Sequence, residues 1–163
     1  MTDREFFVQR WKTEYPLFVK MFQALPDGKL DYAPHPGSRP AGRIAWGIVE
    51  EARALAEIVE TGESHWQNRP VPESAAEIRR EYAANGERLT RLVDRLDDAQ
   101  WESPGRFLAG GQVVFAGPVR DHCWWIIFDG VHHRGQLSVY IRPMGGKVPA
   151  IYGPSGDEGA AVP

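Results

Sequence analysis

Cys123 is the only cysteine in the 163 residues, so no intramolecular disulfide can form and a reducing compartment suits the chain. No apolar run approaches the roughly 20 residues that a helix needs to cross a bilayer, which argues against a membrane role. A surplus of positive charge is also missing. The formal net charge is -3, and basic residues are scattered among acids, so neither nucleic acid nor an anionic membrane has an electrostatic footprint. The segment Met1–Glu5 carries charges of both signs without the apolar stretch of a secretory signal, so the expected location is the cytoplasm of a bacterium.

What the chain does have is an ordinary globular balance, 42% hydrophobic and 25% charged, which excludes wholesale disorder. Six tryptophans in this length predict large buried aromatic contacts. The apolar spacing predicts four helices, at about residues 2–25, 40–61, 74–97 and 118–142, in one domain spanning 1–163. Thr2 to Glu5 and Ser74 to Glu77 have capping-box form, and Pro16 predicts a kink in the first helix. Ser38 is the expected N-cap of the second helix, with Pro40 in its first turn and Gly62 at its end. Between Trp101 and Gly117 short apolar runs alternate with glycine. There Gln112–Phe115 is open to two readings, one side of a small hairpin or an ordered loop. The fold class predicted is all-α, an antiparallel four-helix bundle with an extended tail over 143–163 lying on the surface.

The chemistry concentrates on the last helix. His122, Trp125, Ile126, Asp129, His133, Gln136, Leu137 and Tyr140 share one helical face, which points into the bundle. Asp129 and His133 are four residues apart, so their side chains lie one turn apart on the same side. They can grip one ion, for which zinc, nickel, iron or manganese suit imidazole and carboxylate, or they can form a hydrogen-bonded ion pair. Gly130 and Gly135 each cost about 1 kcal/mol of helix stability against alanine, which implies close backbone packing or room for a ligand. His132 reads as a boundary histidine or as a support for its neighbour, and Arg134 is expected to face outward. His122 lies about 10 Å from Asp129 by helix rise, too far to share an ion, and reads as a core-edge histidine. Cys123 has no evident base partner and reads as a buried inert thiol. Tyr32, His35 and Trp66 are loop aromatics that either line a substrate mouth or cover the end of the bundle.

The run Asp129-Gly-Val-His-His-Arg-Gly-Gln-Leu137, followed by Tyr140-Ile-Arg-Pro-Met-Gly-Gly-Lys-Val-Pro-Ala-Ile-Tyr-Gly-Pro-Ser155, closely resembles the C-terminal signature of the DinB-like (DinB/YfiT-type) family. Tyr32 to Ala41 is similar to the family's approach to its second helix. The resemblance implies a four-helix bundle, often a homodimer, with a divalent metal held by one residue of the second helix and an i, i+4 pair on the fourth. His133 matches the last ligand, and Asp129 stands where many members have histidine. At position 47, where the family's remaining histidine is expected, this chain has glycine. Glu51, one turn beyond Gly47, can reach into that space or can be neutralised by Arg43, Arg53 or His133; Glu50 is less favourably phased.

Three hypotheses follow. One is a metal-dependent enzyme similar to thiol-dependent transferases or hydrolases of small molecules, with Asp129 and His133 as ligands, Glu51 as a further ligand or a base, and Gln136 or Tyr140 orienting the substrate. Another is a degenerate member that, without catalysis, holds a small apolar ligand or a partner in a pocket lined by Trp46, Gly47, Trp125 and Ile126. The third is a purely structural dimeric module.

Overall fold

A computed structural model describes residues 1–158, so the end of the expected tail, 159–163, lies outside the described residues. The elements are α1 (Asp3–Gln23), α2 (Ala41–Thr61), β1 (Glu63–Trp66), α3 (Ala75–Arg95), α4 (Asp98–Glu102), β2 (Pro104–Ala109), β3 (Gln112–Pro118) and α5 (Val119–Ile141). The four long helices form a ring in which α1 packs on α3 and α5, and α2 packs on the same two. Among the described residues no helix is long and apolar enough to cross a membrane.

The all-α expectation needs correction. The fold is mostly helical, with five helices and a small three-stranded sheet ordered β1-β2-β3. β2 and β3 pair antiparallel across Gly110 and Gly111, whose φ values of 58° and 77° suit the tight turn. β1 pairs parallel to β2, from Glu63 opposite Arg106 to Trp66 opposite Ala109. The short α4 is also additional, opened by a capping box between Asp97 and Gln100.

Local signals account for the ends of the long helices. Thr2 and Glu5 cap α1 reciprocally, Ser74 caps α3, and Gly62 closes α2 in the left-handed conformation. α1 runs on through Pro16, which is exposed. Ser38 is not the cap of α2. The N-cap is Pro40, which has no side chain able to accept, and the first N–H groups instead donate to the carbonyls of Tyr32 and Leu30 at 2.9 and 2.8 Å.

The core divides into two apolar clusters. One gathers Phe18, Phe22, Ile44, Ile48, Tyr82, Leu137 and Tyr140, and the other Phe7, Trp11, Leu55, Ile58, Leu89, Trp101 and Ile126. Along α2 the change from one cluster to the other falls between Ala52 and Ala54, beside Glu51. Along α5 it falls between Ile127 and Leu137, the stretch carrying Asp129, His133 and Arg134. The buried polar chemistry thus sits at a seam where neither cluster fills the space. The tail folds back over the bundle: Lys20 donates to the Ala150 carbonyl and Arg142 pairs with Asp157.

Candidate metal centre

Because α2 and α5 are neighbours in the ring, Glu51 meets the Asp129/His133 turn directly. His133 Nε2 lies 3.7 Å from Glu51 Oε1 and 3.8 Å from Asp129 Oδ1. One donor atom from each residue falls within 4.8 Å of the other two. These separations are too long for hydrogen bonds. Ligand atoms held about 2.0–2.2 Å from one zinc-sized ion sit about 3–3.5 Å apart, so a small contraction closes the set around a cation.

The side chains of Glu51 and His133 are only 12% and 13% exposed, whereas Asp129 is 39% exposed and opens the cluster to solvent. Glu51 Oε2 is buried without a hydrogen-bond partner. Burial, and then the neighbouring Asp129 carboxylate, push the Glu51 pKa well above the ordinary carboxylate range. Two carboxylates beside one imidazole, with a buried oxygen left unbonded, make an acceptor set that a divalent cation fits. The imidazole is already oriented for this. His133 Nδ1–H donates to Gln136 Oε1 at 2.7 Å, which turns the Nε2 lone pair toward both carboxylates.

The cluster forms part of the wall of a cavity of about 760 Å³. Gly47, Trp125, His132, Gln136 and Tyr140 line it, as does Trp66 among the loop aromatics. Tyr32 instead packs edge-on against Tyr140, and His35 Nδ1 accepts the Gly37 N–H, neither lining the cavity. A Cβ placed on Gly47 meets nothing within 4 Å, so the space of the missing imidazole is open. Gly130, by contrast, is a packing glycine, since a Cβ there would approach Phe18 to 3.1 Å.

Several expectations are corrected. Trp46 does not line this cavity; it lies in the core of α2 and borders a separate recess of about 280 Å³. Glu51 bonds to neither Arg43 nor Arg53, and Arg53 is taken by Glu50 and Glu57. Arg134 does not face outward. It is 3% exposed, with its Nη2 2.8 Å from Glu14 Oε2 and bonded to the Tyr152 hydroxyl, and its guanidinium covers the Phe18 ring. His122 lies deeper than the core edge, fully buried against Phe115, with both ring nitrogens unpartnered. Cys123 is buried and burial raises its thiol pKa, which leaves it inert.

The residues missed on reading the chain are Arg39, Ser38, Phe107 and Val114, all lining the cavity. The last two arrive with the sheet. An arginine just before Pro40 carries no distinctive spacing, so only its position beside the cavity singles it out.

The fold and site together define a mostly helical bundle with a candidate metal site of Glu51, Asp129 and His133 at a seam of its core. The chain belongs to the DinB family, whose sequence model matches residues 1–161. It is 29% identical over 156 residues to the uncharacterized protein YrdA of Bacillus subtilis (strain 168), covering 94% of this chain and 90% of that one. Its structure is similar to a DinB-like protein from Bacillus cereus ATCC 10987, with a TM-score of 0.76, 27% identity and coverage of 91% and 97% of the two chains. A DinB-like protein (YjoA) from Bacillus subtilis shares the fold at a TM-score of 0.67 and 15% identity, over 88% and 95% of the two chains.

Proposed function

We propose that the protein is a divalent-metal-dependent enzyme acting on a small molecule, as a thiol-dependent transferase or a hydrolase, with Glu51, Asp129 and His133 as metal ligands. The single observation that carries this reading is the buried, unbonded Glu51 oxygen facing a histidine already turned by Gln136. Glu51 is the substitute for the histidine expected at position 47. With two carboxylates and one imidazole, manganese, iron and zinc suit the set better than nickel. A metal held there supplies a lowered pKa to a bound water or thiol. Trp125, Trp66 and Phe107 wall the cavity and exclude bulk water, and His132 presents an imidazole at its edge to take up a proton. In this reading the protein works in the cytoplasm as a homodimer, for which the exposed Phe128 and Val139, three turns apart on α5, offer an apolar contact.

Metal analysis after exhaustive dialysis tests the ligand set. About one equivalent is expected in the native protein and negligible metal in Glu51→Gln, Asp129→Ala and His133→Ala. Equal and negligible content in all four removes the proposal. The open space at Gly47 favours a second reading, a degenerate binder without catalysis. Gly47→His separates the two: metal affinity rising from nothing marks the degenerate protein, whereas tight binding by the native chain excludes it.

A further inference from the structure

The main cavity does not end at the cluster. It shares Arg39, Arg43, Gly47 and Trp66 with the recess of about 280 Å³ beyond them, so the two spaces border each other at position 47, where a Cβ would meet nothing within 4 Å. An imidazole at 47 would stand in that junction. The glycine therefore does more than remove a ligand, because it opens a path out of the cavity.

The charges along this path are unbalanced. Among the described residues Glu50 is the only acid lining the recess, and it is already bonded by Arg53 and Arg69. Arg39 and Arg43 line both spaces and form no ion pair among the described residues. Trp46, also lining the recess, is 5% exposed, and its indole N–H is buried without an acceptor. The amides of Gln67 and Asn68 also line the recess, but its only unpaired charges among the described residues are the two guanidinium groups, and the buried Trp46 donor without an acceptor is costly. The main cavity is also lined by two carboxylates, Glu51 and Asp129, and the charge of Arg39 reaches Glu51, partly opposing the rise of its pKa. The cavity is walled by Trp66, Phe107, Trp125 and Ile126.

We propose that the substrate is a small apolar or aromatic molecule carrying an oxyanion, a carboxylate or a phosphoryl group, which Arg39, Arg43 and the Trp46 N–H hold in the recess opened by Gly47. The paired forks of arginine match either oxyanion. Attraction to the two guanidinium groups holds the charged end in the recess, and the apolar wall of Trp66, Phe107, Trp125 and Ile126 carries the other end of the molecule toward the candidate metal centre. The placement of the reacting end rests on the metal reading above; the recognition of the charged end does not.

Isothermal titration of chelator-treated, metal-free protein with 2-naphthoate, 2-naphthyl phosphate and neutral 2-naphthamide tests this. At least one of the two anions is expected to bind about tenfold or more tightly than the amide, with the preference falling as salt rises. The tighter anion identifies the oxyanion. Arg39→Gln/Arg43→Gln should bring anion and amide within about twofold while keeping the native melting temperature, since both side chains are exposed. Trp46→Phe, which keeps the ring and loses the N–H, should weaken the anions and spare the amide. Equal binding of anions and amide by the native protein, no binding of either anion at millimolar concentration, or an undiminished preference in the double variant would each overturn the proposal. Because no metal is present, a failed metal reading leaves these outcomes unchanged, and a failed anion preference leaves the metal analysis unchanged.

Discussion

His133 and Arg134 are adjacent on α5, and both lie at the seam between the two apolar clusters, yet their surroundings differ in kind. Arg134 closes a structural network. It bonds Glu14 and Tyr152, Tyr152 donates to the same Glu14 oxygen at 2.7 Å, and two aromatic rings lie against the guanidinium. His133 faces two carboxylates at ion-pair distance, 3.7 and 3.8 Å, with no hydrogen bond to either, beside a buried oxygen without a partner and an open cavity. Burial and charge alone do not separate a structural cluster from a functional one. Arg134 too keeps one buried nitrogen, Nη1, without a partner, so the separating property is whether the opposite charges meet at hydrogen-bond distance or converge on a shared point without touching.

Mutation should expose the difference, most strongly at the closed network. Arg134→Met leaves Glu14 buried and unpaired, and urea unfolding should register a loss of about 3–5 kcal/mol. Pairing it with Glu14→Gln should restore much of that loss, whereas a single-variant loss below about 1 kcal/mol would make the network no better than a surface pair. The open cluster should respond in the opposite direction. A carboxyl whose folded pKa is raised holds its proton longer in the folded state, so its contribution falls as pH climbs from its ordinary value of 4.5 through the folded one. Glu51→Gln mimics the protonated form, so in metal-free protein near neutral pH it should gain on the order of 1 kcal/mol, even as it loses metal binding. A destabilised Glu51→Gln variant would place the cluster with Arg134 as a structural device.

His122 provides the smallest test. It is buried on the same helix with neither a bonded partner nor a place in the cavity wall. Burial lowers its pKa, and the nearby Gly105 backbone, the Asp121 carboxylate and the Gly117 backbone, none of which forms a hydrogen bond with it, only partly oppose that effect. Below the unfolded value of 6.5 the unfolded chain takes a proton that the folded chain refuses, so stability falls with acid. The loss is at most about 1.4 kcal/mol per pH unit. Denaturation curves at about pH 7.5 and about pH 5.5 should separate for the native protein and converge for His122→Leu. An unchanged separation in the variant would assign the acid sensitivity to other groups.

The same contrast explains which features could be read from the chain. Asp129 and His133 share a face by helical spacing alone, and Glu51 follows Gly47 by one turn, so the site's composition was legible from periodicity together with the family resemblance. Arg134 was assigned outward because spacing gives direction relative to its own helix and not the position of α1. Glu14 and Tyr152, which make its burial tolerable, come from opposite ends of the chain. β1 was read as loop because Glu63–Trp66 is short and polar, and its reason to be a strand is a parallel partner at Arg106–Ala109.

By itself the sequence determined the long helices, whose hydrogen bonds and caps are local, and the residues of α5 that face inward. Tertiary structure alone decided what those residues meet. It split the core into two clusters, left Glu51 unbonded at their seam, and turned Arg39 and Arg43 toward the space beside Gly47. Helix formation is a property of neighbouring residues, whereas satisfying a buried charge depends on groups that only the folded chain brings within reach.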